Sequence, residues 1–424
     1  MMRLEVVTTM TSRSVLSLLV LPGALLLLGL PKMADAQSCS GANLIDETLP
    51  TGSRWELCWQ HRDEEGIALT GVHFTTPGGV RRQVMKEASV AQIHVAYATG
   101  GTPLNLVTDV ASGAGLGGGN LFDMAPGDCP GGTLRSHAGN SVVCIATLRR
   151  GYAYKSYGNQ LQGYLLSVSS ISSVGAHTYI VKWKFYDDGT IEPSIGLSGR
   201  IPAITSDTRY GWLLDDAGRV AVAFTSHYTW RLDFDIGADA TNDIVEEFEV
   251  IPSADRRRKT LSVSEIGSEQ IRSVNPDLKR TWRIRDSSTV NADGRFISYH
   301  LDPLHTGHRY QPAPGDEWAS GDVAFTVWNA CERFPNENPT AGGCGGNLNA
   351  FVNGEAMTPA DIVIWYSTSY HHVPRSEDEP AVPVHWDGVT IVPRDWTATN
   401  PLTDARPATR PQFWSVQGME LGQS

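Results

Sequence analysis

Short runs rich in β-branched and aromatic residues, each closed by Gly, Pro, Asp or Asn, recur through most of this chain. Residues 71–75 (G-V-H-F-T), 91–95 (A-Q-I-H-V), 178–185, 220–224, 230–236 and 324–328 all have this form. Such residues fit a pleated, half-buried surface better than a helix. Helical periodicity is scarce. Many short strands with turn punctuation predict an all-β fold, a large sandwich or barrel. Asp187-Asp188-Gly189-Thr190 has the Asp-Gly form of a hairpin turn. The Gly-rich residues 113–119 and 341–346 open no helix after a strand, so they predict surface loops rather than a phosphate cradle.

Arg13 precedes an apolar run from Val15 to Leu30 that closes at Ala34-Asp35-Ala36, the small-x-small form of a signal peptidase site. The run is short for a bilayer span. The expectation is a signal peptide over residues 1–36, a mature domain over 37–424, and a secreted or periplasmic product with no membrane attachment after cleavage. All six cysteines lie in the mature part, at Cys39, Cys58, Cys129, Cys144, Cys331 and Cys344. Six thiols allow about fifteen pairings, which sequence alone does not separate. They fall as three local pairs, and an exported protein is where disulfides persist. The pairing expected is Cys39 with Cys58, Cys129 with Cys144, and Cys331 with Cys344. No C-x-x-C is present, which argues against a zinc cluster. The formal net charge of -12 argues against nucleic acid as a partner.

Near the C-terminus, D-I-V-I-W-Y-S-T-S-Y-H-H-V-P-R-S-E-D-E-P-A-V-P-V (residues 361–384) reads as a buried strand that delivers His371 and His372 to an arm fixed by Pro374, Pro380 and Pro383. A strand ending in histidines is a way to present an imidazole to an interior metal. This stretch resembles the end of the catalytic domain of copper amine oxidases. So do, in the family's order, residues 55–97, the pair Cys129/Cys144, residues 180–196 with D-D-G-T-I-E, and R-L-D-F-D-I at 231–236. The resemblance implies a large β-sandwich of the copper amine oxidase catalytic-domain type, a homodimer exchanging long arms, and oxidation of a small amine.

The family's chemistry uses copper on three histidines, two from an H-x-H on a strand and one from H-x-P-R, with a tyrosine in N-Y-D/E that becomes a topaquinone and an aspartate as base. The resemblance places the third histidine at His372, the base at Asp109 and a quinone-contacting tyrosine at Tyr97. The quinone precursor falls on His177. Imidazole has no phenol to hydroxylate, so topaquinone is closed at that position; Tyr179 lies two residues on, on the same strand face. The H-x-H positions fall on Phe224 and Ser226, with His227 one residue out of register. His177, His372 and a bulged His227 would form a quinone-free three-histidine site for copper or zinc. The other reading is that His177 and His372 are hydrogen-bonded core residues. Asp233, Asp235 and Asp361, with the carbonyls of Phe234 and Ile362, match a structural calcium site of the family, and hard oxygen donors suit that ion.

Two functions follow. One is an exported scaffold or a metal- or ligand-binding protein that has lost the family's chemistry. The other is an active copper-dependent primary-amine oxidase releasing aldehyde, ammonia and hydrogen peroxide, or a quinone-free copper oxidase.

Overall fold

The computed structural model describes residues 39–403 except 100, 102, 109–113, 157, 216, 238 and 304–307. Asp109 and the proposed signal peptide lie outside the described residues. The strand pattern of the sequence becomes two large antiparallel sheets, one of nine strands and one of ten, with a small two-stranded ribbon. In the His177–Tyr186 strand every second residue is buried, which puts His177, Tyr179, Val181, Trp183 and Phe185 on one face. These pack into a core drawn from both sheets. Trp55 of the nine-stranded sheet lies 5.0 Å from Phe185, and Phe325 lies 6.1 Å from Trp282 of the facing sheet, centroid to centroid.

The Phe224–Gly237 strand is buried on both faces. Phe224, Tyr228, Trp230, Leu232 and Phe234 enter the core between the sheets. The opposite face of its sheet is covered by a second apolar group containing Trp318, Phe351 and Trp365. A strand with two covered faces holds its register tightly, because a one-residue slip would exchange the two sets.

The Asp-Gly turn forms as expected between the His177–Tyr186 and Ile191–Gly199 strands. Gly189 sits at φ +94°, and a Cβ there would stand 2.6 Å from Phe74 Cε1, so both conformation and space demand glycine. Residues 220–224, expected as one strand, divide. Val220–Val222 pairs with Gly211–Leu213 in the ribbon, and a separate strand starts at Phe224. Alternation alone does not reveal a break at Ala223, where the chain leaves one sheet for another.

The three disulfides join Cys39 to Cys58, Cys129 to Cys144 and Cys331 to Cys344. Cys129 and Cys144 are 15 residues apart and pack with Met124, Leu134 and Ile171 in a satellite core. Cys144→Ser is expected to destabilise the fold by about 3 kcal/mol, the loop-closure value for a ring of that size. A lower urea midpoint, with an m-value equal to or above that of the unaltered protein because the opened loop lets the unfolded chain expand, would show it.

Candidate metal and cofactor site

The middle strand of the site is Phe224–Gly237, flanked by Arg82–Tyr97 and Ile362–His372. Phe224 faces Tyr97 on one side and His372 on the other. His177, at the start of its strand in the facing sheet, completes the group. Its Nε2 is hydrogen-bonded to the Tyr97 hydroxyl at 3.0 Å. The Phe224 ring lies 4.9 Å from the His177 ring and 5.1 Å from that of His372. Burial, reinforced by His372, pushes the His177 pKa down to about 4, so its imidazole is neutral at pH 7.

His372 is oriented as a metal ligand would be. Its Nε2–H donates to the buried Asp378 carboxylate at 2.9 Å, which leaves Nδ1 as the lone-pair nitrogen, 3.4 Å from the Tyr370 hydroxyl. A carboxylate on the far nitrogen is the usual support of a ligating histidine. Asp378 is in turn held by the Arg375 backbone N–H at 2.9 Å. The sequence shows Asp378 only as one acid in the Pro-fixed arm; nothing in its spacing marks it as the partner of His372.

The positions that the resemblance gives to the other two ligands, Phe224 and Ser226, carry no imidazole. Phe224 offers no donor, and Ser226 offers a buried hydroxyl that sits in hydrogen-bonding contact with the buried Tyr179 and Tyr228 hydroxyls. His227 is not available to replace them. Residues 224–233 pair with 363–372 in unbroken register, so the bulge needed to turn His227 inward is absent; the nearest irregularity, against Arg82–Tyr97, comes after Thr229. His227 therefore lies on the opposite face, its Nδ1 2.8 Å from Ser369 Oγ and its ring beneath Trp318 and Tyr310. The structure brings His177 and His372 together around Phe224 and separates His227 from both. Tyr179 is on the His177 face, the two rings 5.9 Å apart. Burial raises the Tyr179 pKa far above that of a free phenol.

On the outer face beside His227 is a network that the sequence did not indicate. His94, the cross-strand partner of His227, joins Asn105 at 2.5 Å and the Tyr310 hydroxyl at 3.1 Å, and Tyr310 donates to Asp316 at 2.8 Å. These contacts clamp the segment before Trp318 onto the sheet. A cavity of about 510 Å³ opens next to the site, lined among others by Tyr97, Phe224, Thr225, His308, Tyr310 and His371.

The Asp233, Asp235 and Asp361 group lies at the far end of the same strands. Asp233 and Asp361 are close enough to hydrogen-bond to one another, and Asp235 carries a buried Oδ1 without a partner among the described residues. Burial, with Asp361 adding to it, pushes Asp233 to about 8 and Asp235 to about 6, and burial raises Asp361 against the pull of Lys86. Lys86 Nζ stands 3.4 Å from Asp361, and Gln83 Nε2 donates to Asp235 at 2.5 Å. Among the described residues no three His, Cys, Asp or Glu side chains already converge in ligand geometry. The carboxylate oxygens nevertheless have the chemistry of a hard cation site.

The sequence-family model for the copper amine oxidase enzyme domain matches residues 142–412. The chain belongs to the copper amine oxidase family. It is 29% identical over 256 residues to the primary amine oxidase of Klebsiella aerogenes, covering 52% of this chain and 33% of that protein. It is 26% identical over 391 residues to the histamine oxidase of Arthrobacter globiformis, covering 82% of this chain and 55% of that protein. The chain thus spans between a third and about half the length of these two relatives. The fold is that of the copper-containing benzylamine oxidase from Hansenula polymorpha (TM-score 0.70, 18% identity, 87% of this chain and 63% of that one). The Aspergillus nidulans amine oxidase is equally similar (TM-score 0.70, 18% identity, 88% of this chain and 56% of that one).

Proposed function

We propose that this is an exported copper amine oxidase-family protein that has lost the family's redox centre and acts as a non-catalytic scaffold or a metal- or ligand-binding protein. The observation that carries this reading is the placement of Phe224 between His177 and His372, with Ser226 on the same strand face: an apolar ring and a hydroxyl stand where two imidazoles are needed, and an imidazole where a phenol is needed. Export is supported by the 1–36 segment and the three disulfides. A homodimer belongs to the same proposal, supported by the family and by the exposed Trp212 and Leu213 on the ribbon. The ligand proposed for the cavity is a small amine or another small molecule.

The competing reading, an active copper-dependent amine oxidase, draws on Tyr179, a fully buried phenol on the His177 face whose hydroxyl neighbours that of Ser226. One experiment separates the two. Purified mature protein is loaded aerobically with copper, freed of excess metal, and measured for copper per chain, visible absorption and peroxide release from benzylamine. The proposal expects no stoichiometric copper, no quinone band and no peroxide. One copper per chain with a quinone band would overturn it.

Calcium at Asp233, Asp235 and Asp361 is proposed as a structural ion. The raised carboxylates keep their protons in the ion-free fold at pH values where the unfolded chain has lost them, so ion-free stability falls as pH rises from about 4, the ordinary carboxylate value, to about 6 for Asp235 and about 8 for Asp233. Bound calcium offsets this loss. Chelation is therefore expected to lower Tm by several degrees at pH 8 and by less at pH 5, as read by calorimetry with and without EGTA. Equal shifts at both pH values would remove this assignment.

A further inference from the structure

His94 lies in the Arg82–Tyr97 strand, 1% exposed, against the rings of Tyr310 and Trp318 at 5.1 and 5.5 Å. Both of its ring nitrogens are engaged, and the hydrogens that those contacts require can be counted. Nδ1 stands 2.5 Å from Asn105 Oδ1. Only one orientation of the Asn105 amide works, because its Nδ2 donates to the Glu337 carboxylate at 2.7 Å and a carboxylate accepts. The oxygen facing His94 is therefore an acceptor, and Nδ1 carries a hydrogen.

Nε2 is 3.1 Å from the Tyr310 hydroxyl, whose one hydrogen goes to the Asp316 carboxylate at 2.8 Å. With that hydrogen committed, the phenol oxygen receives from His94, so Nε2 carries a hydrogen too. A ring with both nitrogens protonated is an imidazolium. The same count is met by moving the proton to Asp316, but imidazole is the stronger base by roughly 2.6 pH units, which keeps the proton on the ring. Asp316 Oδ2 lies 3.6 Å from Nε2 as the counter-charge, and Glu337 answers it on the other side through Asn105. Of the other titratable neighbours, His227 across the strand pair is held neutral, at about 3, by burial and by His94, and Arg309 pairs with Asp322.

Without the second proton this arrangement does not close. Nε2 then offers a lone pair, and the Tyr310 hydroxyl faces two acceptors with one hydrogen. One of its two bonds is lost, and a buried acceptor goes unsatisfied. We propose that His94 is a buried imidazolium whose second proton latches residues 310–318 onto the sheet, and that loss of this proton loosens them. Tyr310 also lines the cavity of about 510 Å³, so the latch sets how firmly that wall is held. It is closed at neutral pH and released in alkali. The Tyr310 backbone N–H, which donates to Ser369 Oγ at 3.1 Å, is an attachment that this proton does not control. Residues 94, 105, 310, 316 and 337 meet only in the fold, so no local motif marks the latch.

Nitrogen NMR of mature protein labelled at histidine reads the proton directly, because a ring nitrogen bearing a hydrogen and one bearing a lone pair resonate in separate ranges. The His94 signals are assigned by their absence in His94→Gln. At pH 7.5, where an ordinary histidine is mostly neutral, both His94 nitrogens are expected to carry hydrogens, and a lone pair on either overturns the proposal. The latch itself is read by hydrogen exchange of residues 308–318, corrected for the intrinsic effect of pH. Protection in the unaltered protein is expected to fall about fivefold between pH 7 and 9.5, the loss of one hydrogen bond. Constant protection overturns the latch. His94→Gln has no ring to titrate, so it is expected to exchange about fivefold faster at pH 7 and to show no further fall. A variant that keeps its parent's protection and pH response overturns the proposal as well. If His94→Gln does not fold, Tyr310→Phe, which keeps the ring and lacks the hydroxyl, is read the same way.

Discussion

A variant carrying His177→Tyr, Phe224→His and Ser226→His is expected to bind about one copper per chain, where the unaltered protein retains essentially none. Residues 224 and 226 are two apart on a strand, so both introduced imidazoles enter the core between the sheets from the same face. The third ligand needs no change, because Asp378 already holds the His372 Nε2–H and leaves Nδ1 for the metal. His177 is 2% exposed and within hydrogen-bond reach of Tyr97, so a phenol introduced there keeps a polar partner. Phe224→His alone supplies one of the two missing ligands and is expected to bind far more weakly, since chelation requires both. Replacing the buried Phe224 ring, which stacks on His372, forfeits some packing, so folding must be verified by Tm in the same series. Copper is counted by elemental analysis after removal of excess metal, and a quinone band is sought in the visible spectrum. A folded triple variant that retains no copper would show that the defect lies in the surrounding shell and not in these three side chains.

The architecture was legible because it rests on short-range signals. Alternation placed the His177–Tyr186 strand, Asp-Gly placed its turn, and nearness in sequence paired the cysteines. The site was legible as far as register could be counted from nearby anchors. Counting from Asp188-Gly189-Thr190 placed His177 and Tyr179, and counting from Arg231-Leu232-Asp233 placed Phe224 and Ser226. The unbroken register at His227 was not legible: whether a strand bulges there depends on what covers its second face, and Trp318 reaches that face from a distant segment. Asp378 and the His94 network escaped for the same reason, since each depends on contacts set by sheet pairing or by a loop crossing the sheet. Asp109 lies outside the described residues, so its role as a base stays with the resemblance that suggested it.

Mild acid is expected to weaken the fold, with loss starting as pH drops below about 6.5, the ordinary histidine value. Buried histidines drive this, His177 at about 4 among them, and two more lie outside the His177 site. Burial, with His94 adding to it, holds His227 down at about 3, and burial, with Arg394 and Arg283, holds His300 at about 4. In the unfolded chain both take up protons near pH 6.5, whereas the folded chain refuses them until pH 3 to 4. Between those limits the unfolded state binds more protons, so stability is complete above 6.5 and falls with pH through the window. The limiting slope is about 1.4 kcal/mol per pH unit for each group. After allowance for local relaxation, a total loss on the order of 3 to 5 kcal/mol by pH 4 follows. The raised carboxylates at Asp233 and Asp235 act in the opposite direction in the ion-free protein, so the profile is recorded both with EGTA and with excess calcium, the ion proposed for that group. Urea midpoints between pH 4.5 and 7.5 should decline below 6.5 in the unaltered protein, and decline less steeply in His227→Gln, whose side chain can still reach Ser369 but binds no proton. The dependence on His227 is specific, because its Nε2 is buried without a partner and an added proton there would leave a charge with no acceptor among the described residues. A flat profile in the unaltered protein, or a variant as steep as its parent, would mean that this imidazole is not what acid attacks.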